Sequence, residues 1–210
     1  MATNFPASVD SLTNPVSNDS LNSPSHSAQH ANANDAIEAI ETYLLGDGAS
    51  GLVLLNTTTF SAVTSVSVNN VFTSTYRNYL INLDNVFSAT SEEEVKFRVR
   101  ASGTDLTGSN YFYQRGTFVD STAGAQNFAS QTSTTLSNAI NDGAMQVNIT
   151  ICNPQTANRT TSNTSTVRWS GGRVLSQITA AQVNNTSQYD GFTIFCAQNI
   201  SGTIKVYGYK

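Results

Sequence analysis

The sequence predicts an all-β protein: an antiparallel β-sandwich of jelly-roll type, preceded by an extended N-terminal arm and one short α-helix. In much of the chain, apolar residues alternate with polar ones, as Val95, Phe97 and Val99 do with Lys96 and Arg98. This period of two is the pattern of a half-buried strand. Only 11% of the residues are charged, against about a quarter in an average domain, and Ser, Thr and Asn fill the deficit. Short strands separated by polar turns favour a sandwich.

The composition divides the chain into three parts. Residues 1–33 form a polar arm, residues 34–48 a short helix and linker, and residues 49–210 the sandwich. A chain of 210 residues can hold one domain of about 150–170 residues with an apolar core, plus an appendage. We therefore expect one folded body and one arm.

The arm contains Pro6, Pro15 and Pro24, which prevent a continuous helix and favour an extended path. Single apolar residues are spaced along it and could each enter a pocket on a partner. These predicted anchoring residues are Phe5, Val9, Leu12, Val16 and Leu21. A disordered tail is the alternative, but the regular spacing favours an arm that becomes ordered when bound.

The helix is predicted from the spacing of Ile37, Ile40 and Leu44, which places all three on one face. Asn34 or Asp35 can cap its first turn. In heptad lettering these apolar residues occupy a and d positions, and isoleucine at both favours trimers or higher oligomers. We expect the three residues to form an oligomerisation seam; a single amphipathic helix packed on its own domain is the alternative.

In the body, two polar segments, residues 120–143 and 153–164, are predicted as loops, where binding specificity often lies. Gly171 and Gly172 predict a tight turn. The end of the chain is predicted as a hairpin that turns at residues 199–202.

The charge distribution argues against a nucleic-acid partner. Residues 1–76 contain no Lys or Arg, and the remainder carries ten basic and eight acidic residues. Binding to phosphates requires a clustered basic face. The first residues lack the basic region and apolar run that are typical of a signal peptide, and no apolar run approaches the length of a membrane span. We therefore expect synthesis in a cytosol and no membrane insertion.

No catalytic residue and no cofactor is predicted. The chain has no histidine after His30, which excludes a Ser-His-Asp or Cys-His site within the body. His26 and His30 are four residues apart and could share a metal if the helix reached them. Because Pro24 and Ser25 suggest that this segment is extended, we expect polar contacts there and no metal; a symmetric oligomer that gathers several copies is the alternative.

Cys152 and Cys196 lie in predicted strands and lack the paired spacing of a zinc site. We expect free thiols, buried or half-buried, since cytosolic thiols stay reduced. A disulfide between neighbouring strands is the alternative.

Two sets of residues, one near each end of the chain, carry a resemblance: Pro6, Asp10, residues 21–26, His30 and residues 34–41 in the first, and residues 202–209 in the second. The first set is similar to the N-terminal segment of virion structural proteins of tailed bacteriophages, and the second resembles the last strand of β-sandwich domains in the same proteins. The resemblance covers about a third of the chain.

The resemblance implies a homotrimeric tail fibre or receptor-binding protein of the virion, assembled in the host cytoplasm. Its partners would be other copies of itself, other virion proteins that hold the arm, and a host-surface glycan or protein. A capsid-decorating protein, either a cement protein or a head fibre, is the alternative. A polysaccharide-degrading tail enzyme is a third hypothesis, and it predicts the release of reducing ends from host polysaccharide.

Overall fold

The computed structural model describes residues 18, 22, 25–45, 51–88, 92–139 and 144–210. The chain separates into two compact units, residues 1–51 with Lys210, and residues 52–209. Within the described residues there are one helix and eleven strands. The helix is α1 (His26–Leu45), and the strands are β1 (Leu52–Val68), β2 (Asn78–Ser88), β3 (Glu93–Ala101), β4 (Thr104–Asp105), β5 (Tyr111–Val119), β6 (Thr122–Gln131), β7 (Thr134–Ala139), β8 (Met145–Cys152), β9 (Thr161–Ser170), β10 (Arg173–Val183) and β11 (Gly191–Tyr209).

Helix α1 begins at His26, eight residues before the predicted start at Asn34. Ser25 precedes the first helical residue, and its carbonyl accepts a hydrogen bond from the N–H of Gln29 at 3.0 Å. Serine at this position is a favoured N-cap, and a proline before the cap does not interrupt the helix. The predictions that residues 26–33 are extended and that Asn34 or Asp35 caps the helix are therefore wrong.

All strand pairs in the body are antiparallel, and the strands join into one curled sheet. The main path runs β4-β3-β11-β2-β8-β9-β10-β5-β6, with β1 paired to β11 and β7 paired to β3. The predicted all-β, antiparallel, sandwich-like fold is confirmed.

Strand β11 is the point at which the sheet becomes two layers. One edge of β11 pairs with β1 along most of its length. The other edge pairs with β3 over residues 191–195 and with β2 over residues 200–208. The sheet therefore forks at β11, and β7 in the β3 layer contacts β2, β5, β9 and β10 in the other.

The predicted hairpin over residues 199–202 is wrong, because β11 continues through this segment as one strand. Gly202 lies opposite Phe60 on β1, next to an irregularity in the β2 pairing. A Cβ at Gly202 would come within 3.0 Å of Val86 Cγ2 and 3.1 Å of both the Asp84 carbonyl and Phe60 Cζ. Glycine is required here because the neighbouring strands β1 and β2 approach closely, and not because the chain turns.

The predicted loop over residues 120–143 is also largely wrong, because it contains strands β6 and β7. Nearly all of β6 is exposed, so it has no apolar face that alternation could reveal. The predicted loop over residues 153–164 ends earlier than expected, because β9 begins at Thr161. The turn at Gly171 and Gly172 is confirmed: both have positive φ, 58° and 84°, and they join β9 to β10.

The apolar core lies between the two layers where β2, β3, β8 and β11 meet. The rings of Phe72 and Phe97 both stack with the ring of Phe192, with centroids 5.8 and 5.6 Å away. On β8, Met145, Val147, Ile149 and Ile151 all point inward and are at most 1% exposed, while Gln146 and Asn148 between them are exposed. This half of the sheet is apolar inside and polar outside.

The polarity reverses at the next strand. Opposed residues of paired strands share a face, so Arg168 and Thr166 of β9 lie inward beside Met145 and Val147 of β8. Both are buried, and Arg168 Nη2 bonds Glu92 Oε1 at 2.7 Å. On the outer face of the same strand, Val167 and Trp169 are each 47% exposed.

Candidate functional site

The outer face of β9, β10, β5 and β6 carries amide side chains. The strand register places Asn163, Ala180, Gln114 and Asn127 in one row across the four strands. Asn163, Gln114 and Asn127 are exposed. Each amide group has both donors and an acceptor, and alanine between them keeps the middle of the row low.

The next row contains Ser165, Ile178, Gly116 and Ala125, in the same strand order. Gly116 and Ala125 leave a depression of about 530 Å³, which Phe118 and Ile178 border. These two large side chains are 46% and 55% exposed. A depression of this size can hold a small ligand.

A second depression of about 450 Å³ adjoins the first and shares Gln114, Asn127 and Ala180 with it. Phe112 and Gln182 line its far part. We call the two depressions together the outer groove. It follows the sheet from Phe112 and Gln182 at one end to Phe118 and Ile178 at the other.

Side chains on the inner face hold β6 against β5 and so support the groove from below. The rings of Tyr113 and Phe128 stack at 4.4 Å with an interplanar angle of 17°. Arg115 Nη2 donates to Gln126 Oε1 at 2.6 Å, and its guanidinium lies 5.1 Å from the centroid of the Phe128 ring. These contacts are pairs across one two-strand ribbon, the units that stabilise a sheet.

The lining of the groove is nearly uncharged. Among the described residues that line it, none is acidic, and the one cationic residue, Arg115, directs its side chain to the inner face, where it donates to Gln126. Amide groups match the donors and acceptors of sugar hydroxyls, and the rings of Phe112 and Phe118 offer flat apolar surface for the faces of sugar rings. The groove therefore suits a neutral, hydroxyl-rich ligand.

The predicted oligomerisation residues lie together on an exposed face of α1. Ile37, Ile40 and Leu44 are 54%, 44% and 57% exposed. The half-buried helix residues, Gln29, Asn32, Ala36 and Ala39, lie roughly a quarter turn away round the helix. The seam is thus available for contact with another molecule.

The predictions for the anchoring residues, the segment 120–143 and the two cysteines have different outcomes. The anchoring residues Phe5, Val9, Leu12, Val16 and Leu21 lie outside the described residues. The segment 120–143 contributes Ala125 and Asn127 to the groove, but from a strand and not from a loop. Cys152 and Cys196 are free, half-buried and buried respectively, as predicted.

The residues of the groove were missed by the sequence-based reasoning. Phe112, Gln114, Asn163 and Gln182 lie in strands whose outward side chains have no fixed spacing to identify them as a set. Small residues such as Gly116 and Ala180 within otherwise bulky strands were the available signal, because they mark a place where something can approach the backbone.

In the part of the chain that the structure describes, no three His, Cys, Asp or Glu side chains gather into a possible metal cluster. No helix within the described ranges is long and apolar enough to cross a membrane. Neither a scan against protein-family models nor a search of curated proteins finds a match to this chain.

Proposed function

We propose that this chain is a homotrimeric attachment protein of a tailed-bacteriophage particle, either a tail fibre or a receptor-binding protein. In this proposal the N-terminal arm binds other virion proteins, α1 forms the trimer neck, and the outer groove of the body binds a neutral glycan of the host surface. The groove carries the proposal, because it combines amide side chains, aromatic rings and a nearly uncharged lining. The resemblance of both chain ends to virion proteins supports the location.

Attachment through the groove is tested by filling it. A Cβ at Gly116 would make only ordinary contacts, the nearest at 3.6 Å to the Phe118 ring. Gly116→Val should therefore fold and occupy the floor of the groove. We expect affinity for the bound glycan, measured on an array of neutral and acidic oligosaccharides and then by calorimetry, to fall at least about tenfold.

Gly124→Val is the matched control. Gly124 lies opposite Thr117 in the same ribbon, with its Cβ direction toward the other face and open space within 4 Å. It should bind glycan as the wild type does. If the wild type binds no glycan on a broad array, or if both variants bind equally well, the groove is not the receptor site.

Trimer formation is tested by substitutions in α1. Ile37→Asp combined with Ile40→Asp places charge in the seam, which is costly to bury, and we expect light scattering to show monomers with a folded body. Ala31→Asp combined with Thr42→Asp adds the same charge at exposed positions outside the seam and should leave the trimer intact. A wild-type monomer at micromolar concentration contradicts the proposed assembly.

A capsid-decorating role is the second candidate, and one observation favours it. Val167, Trp169 and Val174 extend the apolar surface beyond the groove and are each about half exposed, which suits a protein partner. Electron micrographs of particles labelled near Lys210 separate the two candidates. Label on the tail supports attachment, and label over the head supports decoration.

A further inference from the structure

We infer that His26 and His30 form a chelating site for a transition-metal ion at the N-terminal end of α1. The two residues occupy the first two turns of the helix and are both exposed. Their ring centroids are 4.4 Å apart, and the rings are nearly perpendicular at 86°. Their Nε2 atoms approach to 3.1 Å.

The separation of the two nitrogens fits a shared ion. At metal–nitrogen bonds of about 2.0–2.1 Å, two nitrogens on one ion lie roughly 2.9 Å apart at a right angle and roughly 3.3 Å apart at the tetrahedral angle. The observed 3.1 Å lies between these values. The distance between the two nitrogens therefore already suits a shared ion.

The chemistry of the pair also favours a metal. Without one, one Nε2 must carry a proton and donate it to the other. When that proton moves to Nδ1 of the same ring, an ion can take its place and accept the lone pairs of both Nε2 atoms. Imidazole nitrogen suits Zn²⁺, Ni²⁺ and Cu²⁺, and the adjoining Nδ1 atoms remain available to hold their own protons.

The position of the pair relates it to the proposed trimer. Counting back along the heptad, His30 and His26 fall at a and d positions in line with Ala33, Ile37 and Ile40. A parallel trimer would bring three such pairs toward its axis. The gathering of three histidine pairs rests on the proposed function, whereas chelation by the two histidines of one chain does not.

The experiment is a titration with Ni²⁺ of the full-length protein and its variants. The chain contains two histidines, so imidazole signals in NMR spectra report on this site alone. We expect both histidines to respond together. His26→Gln and His30→Gln should each weaken binding at least about tenfold, because a chelate becomes a single ligand.

The sharpest control moves one ligand. His30→Ala combined with Ala33→His keeps two histidines on the seam but places them seven residues apart, two turns along the helix. It should bind as weakly as the single variants, while circular dichroism shows the same helix content. If the wild type does not bind Ni²⁺, the inference is wrong. It is also wrong if these changes leave binding unaffected, as they would if the ion bound to the cysteine thiols.

Sedimentation of the same samples separates the two proposals. A trimer that binds no Ni²⁺ leaves the proposed function in place and ends this inference. A monomer that binds Ni²⁺ through both histidines supports chelation and contradicts the proposed assembly. If both hold, the variant with Ile37→Asp and Ile40→Asp should bind Ni²⁺ more weakly than the trimer.

Discussion

Strands β8 and β9 are hydrogen-bonded neighbours, yet β8 has apolar side chains on its inner face and β9 has polar ones there. On β8 the inward residues are Met145, Val147 and Ile149, and on β9 they are Arg168, Thr166 and Thr164. The outward residue Gln146 lies opposite Val167. Burying polar groups and exposing apolar ones lowers stability. Such an arrangement fits the proposal that the outer face of β9, β10 and β5 binds a ligand.

The largest expected difference is between two isoleucines in these two regions. Ile149 points inward from β8 and is 1% exposed, whereas Ile178 points outward from β10 and is 55% exposed. Ile149→Ala should lower the free energy of unfolding by about 2–5 kcal/mol, because it removes buried methyl groups and leaves a cavity. Ile178→Ala should cost less than about 1 kcal/mol.

Chemical denaturation of both variants measures this difference, and a glycan-binding assay completes the comparison. Ile178 borders the groove, so its alanine variant should lose ligand affinity while remaining stable. Equal losses of stability would mean that the outer face is covered within the folded chain.

The second prediction concerns the ion pair between the buried Arg168 of β9 and the exposed Glu92. The Arg168 side chain is 7% exposed, while Glu92 is 46% exposed. Glu92→Ala leaves a buried cation without its carboxylate and should cost about 1–3 kcal/mol, reduced from a fully buried pair by the solvent around Glu92.

Arg168→Leu is the informative counterpart. It leaves the exposed Glu92 with Asn138, whose Nδ2 donates to Glu92 Oε1 at 3.0 Å, and it should change stability by less than Glu92→Ala does. Urea unfolding curves decide this. A larger loss for Arg168→Leu would show that the arginine is needed to hold the two layers in place.

The third prediction is a loss of stability at alkaline pH that originates in the apolar region. Burial raises the pKa of Tyr79, Tyr111 and Tyr189 above the ordinary tyrosine value. The folded protein keeps these protons at a pH where the unfolded chain releases them. Their contribution is therefore complete below about pH 10 and is lost as the pH rises further.

Thermal unfolding between pH 8 and pH 11.5 should show this decline. Tyr111 Oη donates to the Leu106 carbonyl at 3.0 Å and accepts from the Val99 N–H at 3.1 Å. Tyr111→Phe should lower stability at neutral pH but also flatten the decline above pH 10. An unchanged slope would contradict the assignment to this residue.

The smallest effect is a difference in thiol reactivity without a change in stability. Cys152 lies on the outer face of β8 opposite Thr161 and is half-buried. Cys196 is buried, and burial raises its thiol pKa. Ellman's reagent should modify Cys152 in the native protein and Cys196 only after unfolding. Cys152→Ser is the control, and rapid native modification of that variant would contradict the orientation of β11.

The sequence predicts the parts of the fold where local chemistry and tertiary packing agree. Val95, Phe97 and Val99 alternate with charged residues and form an inward face, and Gly171 and Gly172 form the turn that their dipeptide predicts. The free thiols and the position of the seam residues on one helix face also follow from local patterns.

The errors arise where tertiary contacts override local patterns. The local pattern around Gly202 predicts a turn, because the residues that approach this glycine, Phe60 and Val86, are distant in sequence. On β9, alternation shows that Val167 and Trp169 share a face, but not that this face is outward. The groove depends on register among four strands, which no single segment specifies.

The length of β11 and its partner β1 has a mechanical consequence. Chain connectivity means that any pull from the arm enters the body at Leu52, the first residue of β1. The pairing of β1 with β11 runs from Leu52 to Val68, with register shifts after Leu54, Phe60 and Val63, and it is the longest pairing among the described strands. A pull on the arm therefore meets this pairing before any other part of the sheet.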